Sequence, residues 1–332
     1  MPEQEKQKRL WNVGLGAGLL GAILLALRYA VRRPTSTPVP DTISPKIFTT
    51  KVLHTSRFPM VYHESGSGQP LIFVHSVCLG GSSYEWSKVY PEFAATHRVI
   101  ALDLIGFGES ARPNVQLGAA DYVRVLAEFI RATCGDTPPV LIGSGLGAGF
   151  CIYLASQHPE MVSRLILLTP TGLNNFGKKK LPLSSRIISR VPMLNRFVYR
   201  NYLATKSAVQ AWLMKFAFMD PALVTTETVD VFTTCAQQYG AEYSILNLQS
   251  GLLNFDLEKR VKMLTLPVTL LWGSQASYPS LESAYWFQGT IKNCSLVLLQ
   301  KGGVLAALES PQEVVDALRD ELKSELRVYK TS

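Results

Sequence analysis

Residues 141–150 read Leu141-Ile142-Gly143-Ser144-Gly145-Leu146-Gly147-Ala148-Gly149-Phe150, an apolar run that breaks into alternating glycines. A hydrophobic strand ending in G-x-Nu-x-G turns sharply into a helix and lifts the residue Nu above the sheet edge. Here the frame is Gly143, Ser144, Gly145, Leu146 and Gly147, so Gly145 stands where a nucleophile would. A side chain at that position costs roughly 1–3 kcal/mol of backbone strain, and glycine removes it. The reading keeps the turn and deletes the attacking group. A phosphate-binding loop fits poorly, because the Lys-Ser/Thr pair and an acidic ribose partner are both missing.

Outward from the elbow, Pro70 to His75 (P-L-I-F-V-H) reads as a short buried strand, followed by Ser76-Val77 and Gly80-Gly81-Ser82-Ser83-Tyr84-Glu85-Trp86. Arg98 to Ser110 (R-V-I-A-L-D-L-I-G-F-G-E-S) reads as a strand and a glycine turn. Pro267 to Gly273 is another apolar strand, and Gly303 to Pro311 reads G-V-L-A-A-L-E-S-P. As an ordered set from about Ile47 to Leu322, these stretches resemble the α/β-hydrolase family: its His-Gly oxyanion loop, its D-x-x-G-x-G-x-S turn, its elbow, its W-G-x-x-D strand and its G-H-x-P-x-x-E-x-P segment. The resemblance implies an α/β fold with an eight-stranded, mostly parallel sheet and flanking helices. Its core would span residues 46–173 and 263–325, and a helical cap residues 174–262.

Carried over residue by residue, the resemblance also shows what is missing. Gly145 occupies the nucleophile position, Ala276 the acid position and Val304 the histidine position. The five histidines are His54, His63, His75, His97 and His158, and none follows His158, whereas in this fold the base follows the nucleophile and the acid. A serine hydroxyl without a base is a poor nucleophile at neutral pH. Ser144 lies one residue early and, by strand alternation, faces away from the site. Cys78 reads as a small apolar-core thiol, His75 matches the family's structural histidine, and Asp103 reads as the residue that holds the Gly106–Gly108 turn. His75, Ser76, Val77, Ser144 and Leu146 remain as ligand-binding candidates. Backbone donors at Val77 and Leu146 would cradle a carbonyl or carboxylate, yet a cradle without an attacking group accelerates little. The resemblance thus implies a catalytically inactive member that binds an apolar small molecule or serves as an assembly partner. The alternative is an active ester or lipid hydrolase with relocated catalytic residues. No metal cluster or cofactor motif stands out, so neither a metal nor a cofactor is expected.

The N-terminus needs a separate reading. Leu10 to Leu27 are eighteen residues without a charge, flanked by Lys6, Lys8 and Arg9 and by Arg28, Arg32 and Arg33. A helix of that length spans roughly 27 Å, close to the hydrocarbon thickness of a bilayer. The expectation is a basic flank at 1–9, a transmembrane helix at 10–31 and a proline-rich linker at 32–45. A cleaved signal or transit peptide is the competing reading, disfavoured by Arg28 and by Glu3 and Glu5. Gly14 and Gly18 form a G-x-x-x-G step suited to packing against another membrane helix. Lys46 and Lys51 tip the charge bias toward a cytoplasmic, or stromal, globular domain. The five scattered cysteines fit a reducing compartment better than a disulfide framework.

The net charge of +8 has a local origin. Between Asn174 and Met219 stand nine Lys/Arg and no acid: Lys178, Lys179, Lys180, Arg186, Arg190, Arg196, Arg200, Lys206 and Lys215. Basic residues interleaved with aliphatic and aromatic ones read as a membrane-surface element facing anionic lipid. A solvated cap face is the competing reading, and a nucleic-acid partner is not expected.

Overall fold

The computed structural model describes residues 44–172, 192–274, 276 and 279–328, with Gly21 apart from them. Its centre is a sheet of eight strands: β1 (Thr49–His54), β2 (Pro59–Ser65), β3 (Pro70–Val74), β4 (Arg98–Leu102), β5 (Val140–Ser144), β6 (Arg164–Leu168), β7 (Val268–Gly273) and β8 (Cys294–Leu299). Their spatial order is β1-β2-β4-β3-β5-β6-β7-β8. The β1–β2 and β2–β4 pairs are antiparallel and the other five are parallel, as the ordered motifs imply. β3, β5 and β7 are buried along their whole length. This burial on both faces explains why they read as continuous apolar runs rather than alternating ones.

Helices α1 (Ala119–Cys134) and α2 (Gly145–Gln157) cover one face. α1 turns Tyr122, Val123, Leu126, Phe129 and Ile130 inward, the spacing of an amphipathic helix. Its first turn is closed by Gly118 N–H donating to the Asp121 carboxylate at 2.9 Å. α2 is buried nearly all round, because the sheet lies beneath it and the cap's last helix beside it. Between β6 and β7 the described cap elements are α3 (Pro192–Val198), α4 (Lys206–Trp212), α5 (Thr226–Gln237), α6 (Ala241–Gln249) and α7 (Leu257–Val261), with π-helical turns at Tyr199–Leu203 and Leu213–Ala217. After β7 come α8 (Leu281–Thr290) and, beyond β8, α9 (Ala306–Glu309) and α10 (Pro311–Val328).

Two apolar layers sandwich the sheet. One joins Ile72, Ile100 and Leu141 to α1 and α2; the other joins Phe73, Ala101 and Ile142 to Trp86, Tyr90 and α10. Among the described residues no helix is long and apolar enough to cross a membrane. The expected span at 10–31 and its linker lie outside them apart from Gly21.

Candidate functional site

The elbow forms where the sequence places it. β5 ends at Ser144, α2 starts at Gly145, and Gly145 takes φ of +51°, a left-handed conformation. A Cβ on Gly143 would come within 2.8 Å of Ala148 Cα, and one on Gly147 would run into the His75 carbonyl. The turn is therefore as tight as one that carries a nucleophile. The space a nucleophile would need is already taken: a Cβ on Gly145 would overlap the Ser76 hydroxyl. Ser76, the residue after His75, fills the space beside Gly145.

Neither Ala276 nor Val304, the positions expected for an acid and a histidine, carries a polar side chain. Ala276 packs at the edge of the main apolar layer, and Val304 is half-buried beside Gly303. Their loops adjoin, since a Cβ on Gly273 would strike the Gly302 carbonyl. The end of β6 offers no carboxyl either: Thr169 stands there with φ of 47°. His75 is fully buried and both its ring nitrogens are engaged. Nε2 accepts from the Leu104 amide at 2.9 Å, which leaves Nδ1–H to donate to the Ser76 carbonyl at 2.8 Å. With no free lone pair and a pKa lowered by burial, it is not placed to act as a base.

Asp103 behaves as a turn-holder. Its carboxylate accepts the Ser83 and Glu109 amides, each at 2.7 Å, and its backbone carbonyl accepts the Ser110 hydroxyl at 2.6 Å. The fold also brings His63, Asp103 and Glu109 together, with donor atoms within 4.8 Å of one another, a grouping that β2 and the β4 turn conceal in the sequence. His63 Nδ1 pairs with the Thr50 hydroxyl at 3.1 Å, and Nε2 lies 3.5 Å from the Glu109 carboxylate. With Asp103 committed to the turn, the group reads as an ion-pair and turn network.

Sequence reasoning missed the buried acid beneath the elbow. Glu85 sits in a 3-10 turn, Ser83–Trp86, and is buried to 1 % exposure. Its Oε2 accepts the Ser76 amide at 2.7 Å. Burial pushes its pKa up to about 7, against a smaller lowering by the facing Ser144 hydroxyl and the Ser76 amide. Neither Glu85 Oε1 nor Ser144 Oγ closes a well-formed hydrogen bond. Ser144 is fully buried, and its hydroxyl faces this carboxyl. The one available signal was a charge set between Tyr84 and Trp86 in an otherwise apolar stretch.

The helices inserted between β6 and β7 pack closely on the core. Tyr84 of the 3-10 turn, with Leu305 just before α9 and Leu308 within it, forms one buried cluster with Val209, Leu213, Ala217, Phe218 and Phe232 of the inserted segment, and Cys78 and Leu79 pack against it. A Cβ on Gly80 would strike the Phe232 carbonyl. Leu146 turns toward Phe255 and Leu257. Val77 is buried as well. Glu309 clamps the histidine-position loop to the cap: Oε1 accepts the amides of Met219 at 2.8 Å and Asp220 at 2.7 Å, and Oε2 accepts that of Gly303 at 2.5 Å.

Of the membrane-surface candidates, Lys178, Lys179, Lys180, Arg186 and Arg190 lie outside the described residues. Arg196 Nε and Arg200 Nη2 stand 3.2 and 2.9 Å from Oε1 of the buried Glu242, and Arg196 also donates to the Tyr243 hydroxyl at 2.6 Å. Lys206 pairs with Asp230 at 2.5 Å. The acids that answer this basic stretch come from α5 and α6, beyond the window in which the sequence shows none.

Residues 69–311 match the alpha/beta hydrolase fold family, and the chain belongs to it. It is 26% identical over 259 residues to the 2-hydroxy-6-oxo-6-(2'-aminophenyl)hexa-2,4-dienoic acid hydrolase of Metapseudomonas resinovorans, covering 77% of this chain and 84% of that one. It superposes on a serine hydrolase involved in carbazole degradation with a TM-score of 0.69 at 21% identity, covering 83% of this chain and 99% of the other. A membrane phospholipase A superposes at 0.66 with 19% identity, over 97% of this chain and 99% of that one. These two structural likenesses concern the fold.

Proposed function

We infer that this chain uses the hydrolase fold without the hydrolytic reaction, as a binding or assembly partner held at a membrane. The observation that carries the reading is the joint loss at Gly145, Ala276 and Val304, with no histidine after His158 and His75 tied at both nitrogens. The packed cluster between Tyr84, Phe232 and Leu305 favours a partner that recognises the outer surface over an apolar ligand in a deep pocket. Membrane attachment is supported by the apolar run Leu10–Leu27 with its basic flanks.

The second reading, relocated chemistry, has one observation in its favour. The Ser76 hydroxyl occupies the nucleophile seat, and Glu85 lies next to it. Treatment of the full-length protein with a fluorophosphonate probe, and assay on short-chain nitrophenyl esters, separates the two. The expected result is no labelling and no turnover above background. Stoichiometric labelling mapped to Ser76 or Ser144 would overturn the non-catalytic reading. Sedimentation of the full-length chain with membranes after alkaline carbonate washing tests the anchor, and release into the wash would remove it.

A further inference from the structure

Among the described residues, Glu85 is a buried carboxyl with no countercharge. The groups that shift it are burial itself, the Ser144 hydroxyl and the Ser76 amide, and no cation is among them. The elements packed on its 3-10 turn bring further titratable groups. Asp103, after β4, bonds the Ser83 amide. Glu309 of α9 is committed to three amides. Glu227 of α5 accepts the Tyr84 hydroxyl at 3.3 Å, and the Cys78 thiol is held protonated by burial and by Glu85. His75, after β3, has both ring nitrogens bonded and a pKa lowered by burial. Every one of these groups is neutral or acidic, so among the described residues none relieves an ionised Glu85. A proton on Oε1 would let Glu85 donate to Ser144 Oγ, the two atoms that otherwise lack a well-formed bond. With Oε2 accepting from Ser76, the acid then bridges the end of β5 to the oxyanion loop.

The same 3-10 turn reaches the cap. Tyr84 packs edge-on to Phe232 of α5, with ring centroids 6.4 Å apart, so a displacement of Glu85 displaces a cap contact too. We propose that Glu85 is a proton-operated latch: protonated, it holds the Ser76 side chain in the vacated nucleophile seat; ionised, it favours conformers in which the turn lifts toward water and the seat and the cap contact open together. The proposal rests on Gly145 being a vacated seat, and it concerns how that seat is regulated. A group favours its exposed conformer, on ionising, by as much as its pKa is displaced by burial. From an ordinary value of about 4.3 to about 7, the limit is on the order of a hundredfold in population.

Hydrogen exchange of the full-length protein, followed by mass spectrometry on peptides spanning 76–93 and corrected for the intrinsic pH dependence of exchange, tests the latch. Protection in this segment is expected to fall about 10-fold from pH 6 to pH 8, with a midpoint near 7. Peptides from α1 should hold constant. Glu85→Gln should abolish the pH dependence and keep the protected level throughout. Equal protection at both pH values in the wild type, or the same fall in Glu85→Gln, would each overturn the latch. Because the readout is exchange, this outcome is independent of whether a fluorophosphonate labels the protein.

Discussion

Gly145→Ser is expected to lower the stability of the protein by roughly 3 kcal/mol while conferring no esterase activity. Two separate costs add at this position. The first is conformational, because φ of +51° places a residue with a Cβ in the left-handed region, at about 1–3 kcal/mol. The second is overlap, because the new Cβ meets the Ser76 hydroxyl and, at 3.0 Å, its Cβ; overpacking in a tight interior costs about 1–3 kcal/mol. The two are separable. Ser76→Gly removes the overlap but leaves the strain, so the double variant should recover about half of the loss. Urea denaturation of the two single variants and the double should give a coupling of at least about 1 kcal/mol. Additive losses would mean that Ser76 does not occupy the seat. Activity should stay at background in all three, since nothing in them provides a base. A new serine hydrolysing nitrophenyl esters would show that a base had been overlooked.

The elbow was legible because its constraint is local. Apolar residues 140–142 form a strand and the glycines form the turn. The order of the motifs sufficed for the sheet. Compensation was not legible. That Ser76 fills the space above Gly145, that Glu85 meets Ser144 from 59 positions earlier in the chain, and that Glu242 answers Arg196 and Arg200 are facts of tertiary approach. Strand alternation assigns Ser144 a face of the sheet, but periodicity gives a direction and not the neighbour found there. The charge of the cap misleads in the same manner. A window of sequence counts cations, whereas a helix pair such as α3 and α6 decides which of them meet an acid.

Loss of the Glu309 carboxylate should be the most damaging single change outside the apolar core. Glu309 is 7 % exposed, and its two oxygens accept three backbone amides from two parts of the chain, Gly303 in the loop after β8 and Met219 and Asp220 in the cap. A backbone N–H left buried without an acceptor costs about 1–3 kcal/mol, and bonds to charged groups lie at the upper end. The three losses are not independent, because one relaxation of the loop can hydrate more than one amide. Glu309→Ala is therefore expected to cost about 3–5 kcal/mol, seen as a lower urea midpoint. Glu309→Gln keeps one acceptor oxygen but turns an NH2 toward at least one amide donor, so it should fall between alanine and wild type. A local consequence distinguishes a clamp from an ordinary core contact. The Gly303 loop also donates Leu305 N–H to the Ala217 carbonyl at 3.1 Å, and a Cβ on Gly303 would lie 2.9 Å from the Met219 amide nitrogen, so cap and loop are fastened at one spot. Limited proteolysis of Glu309→Ala should cut first between residues 213 and 225, at denaturant concentrations where the sheet remains folded. Loss of less than about 1 kcal/mol, or cleavage that begins in the core helices, would mean that the cap is held by its apolar cluster alone.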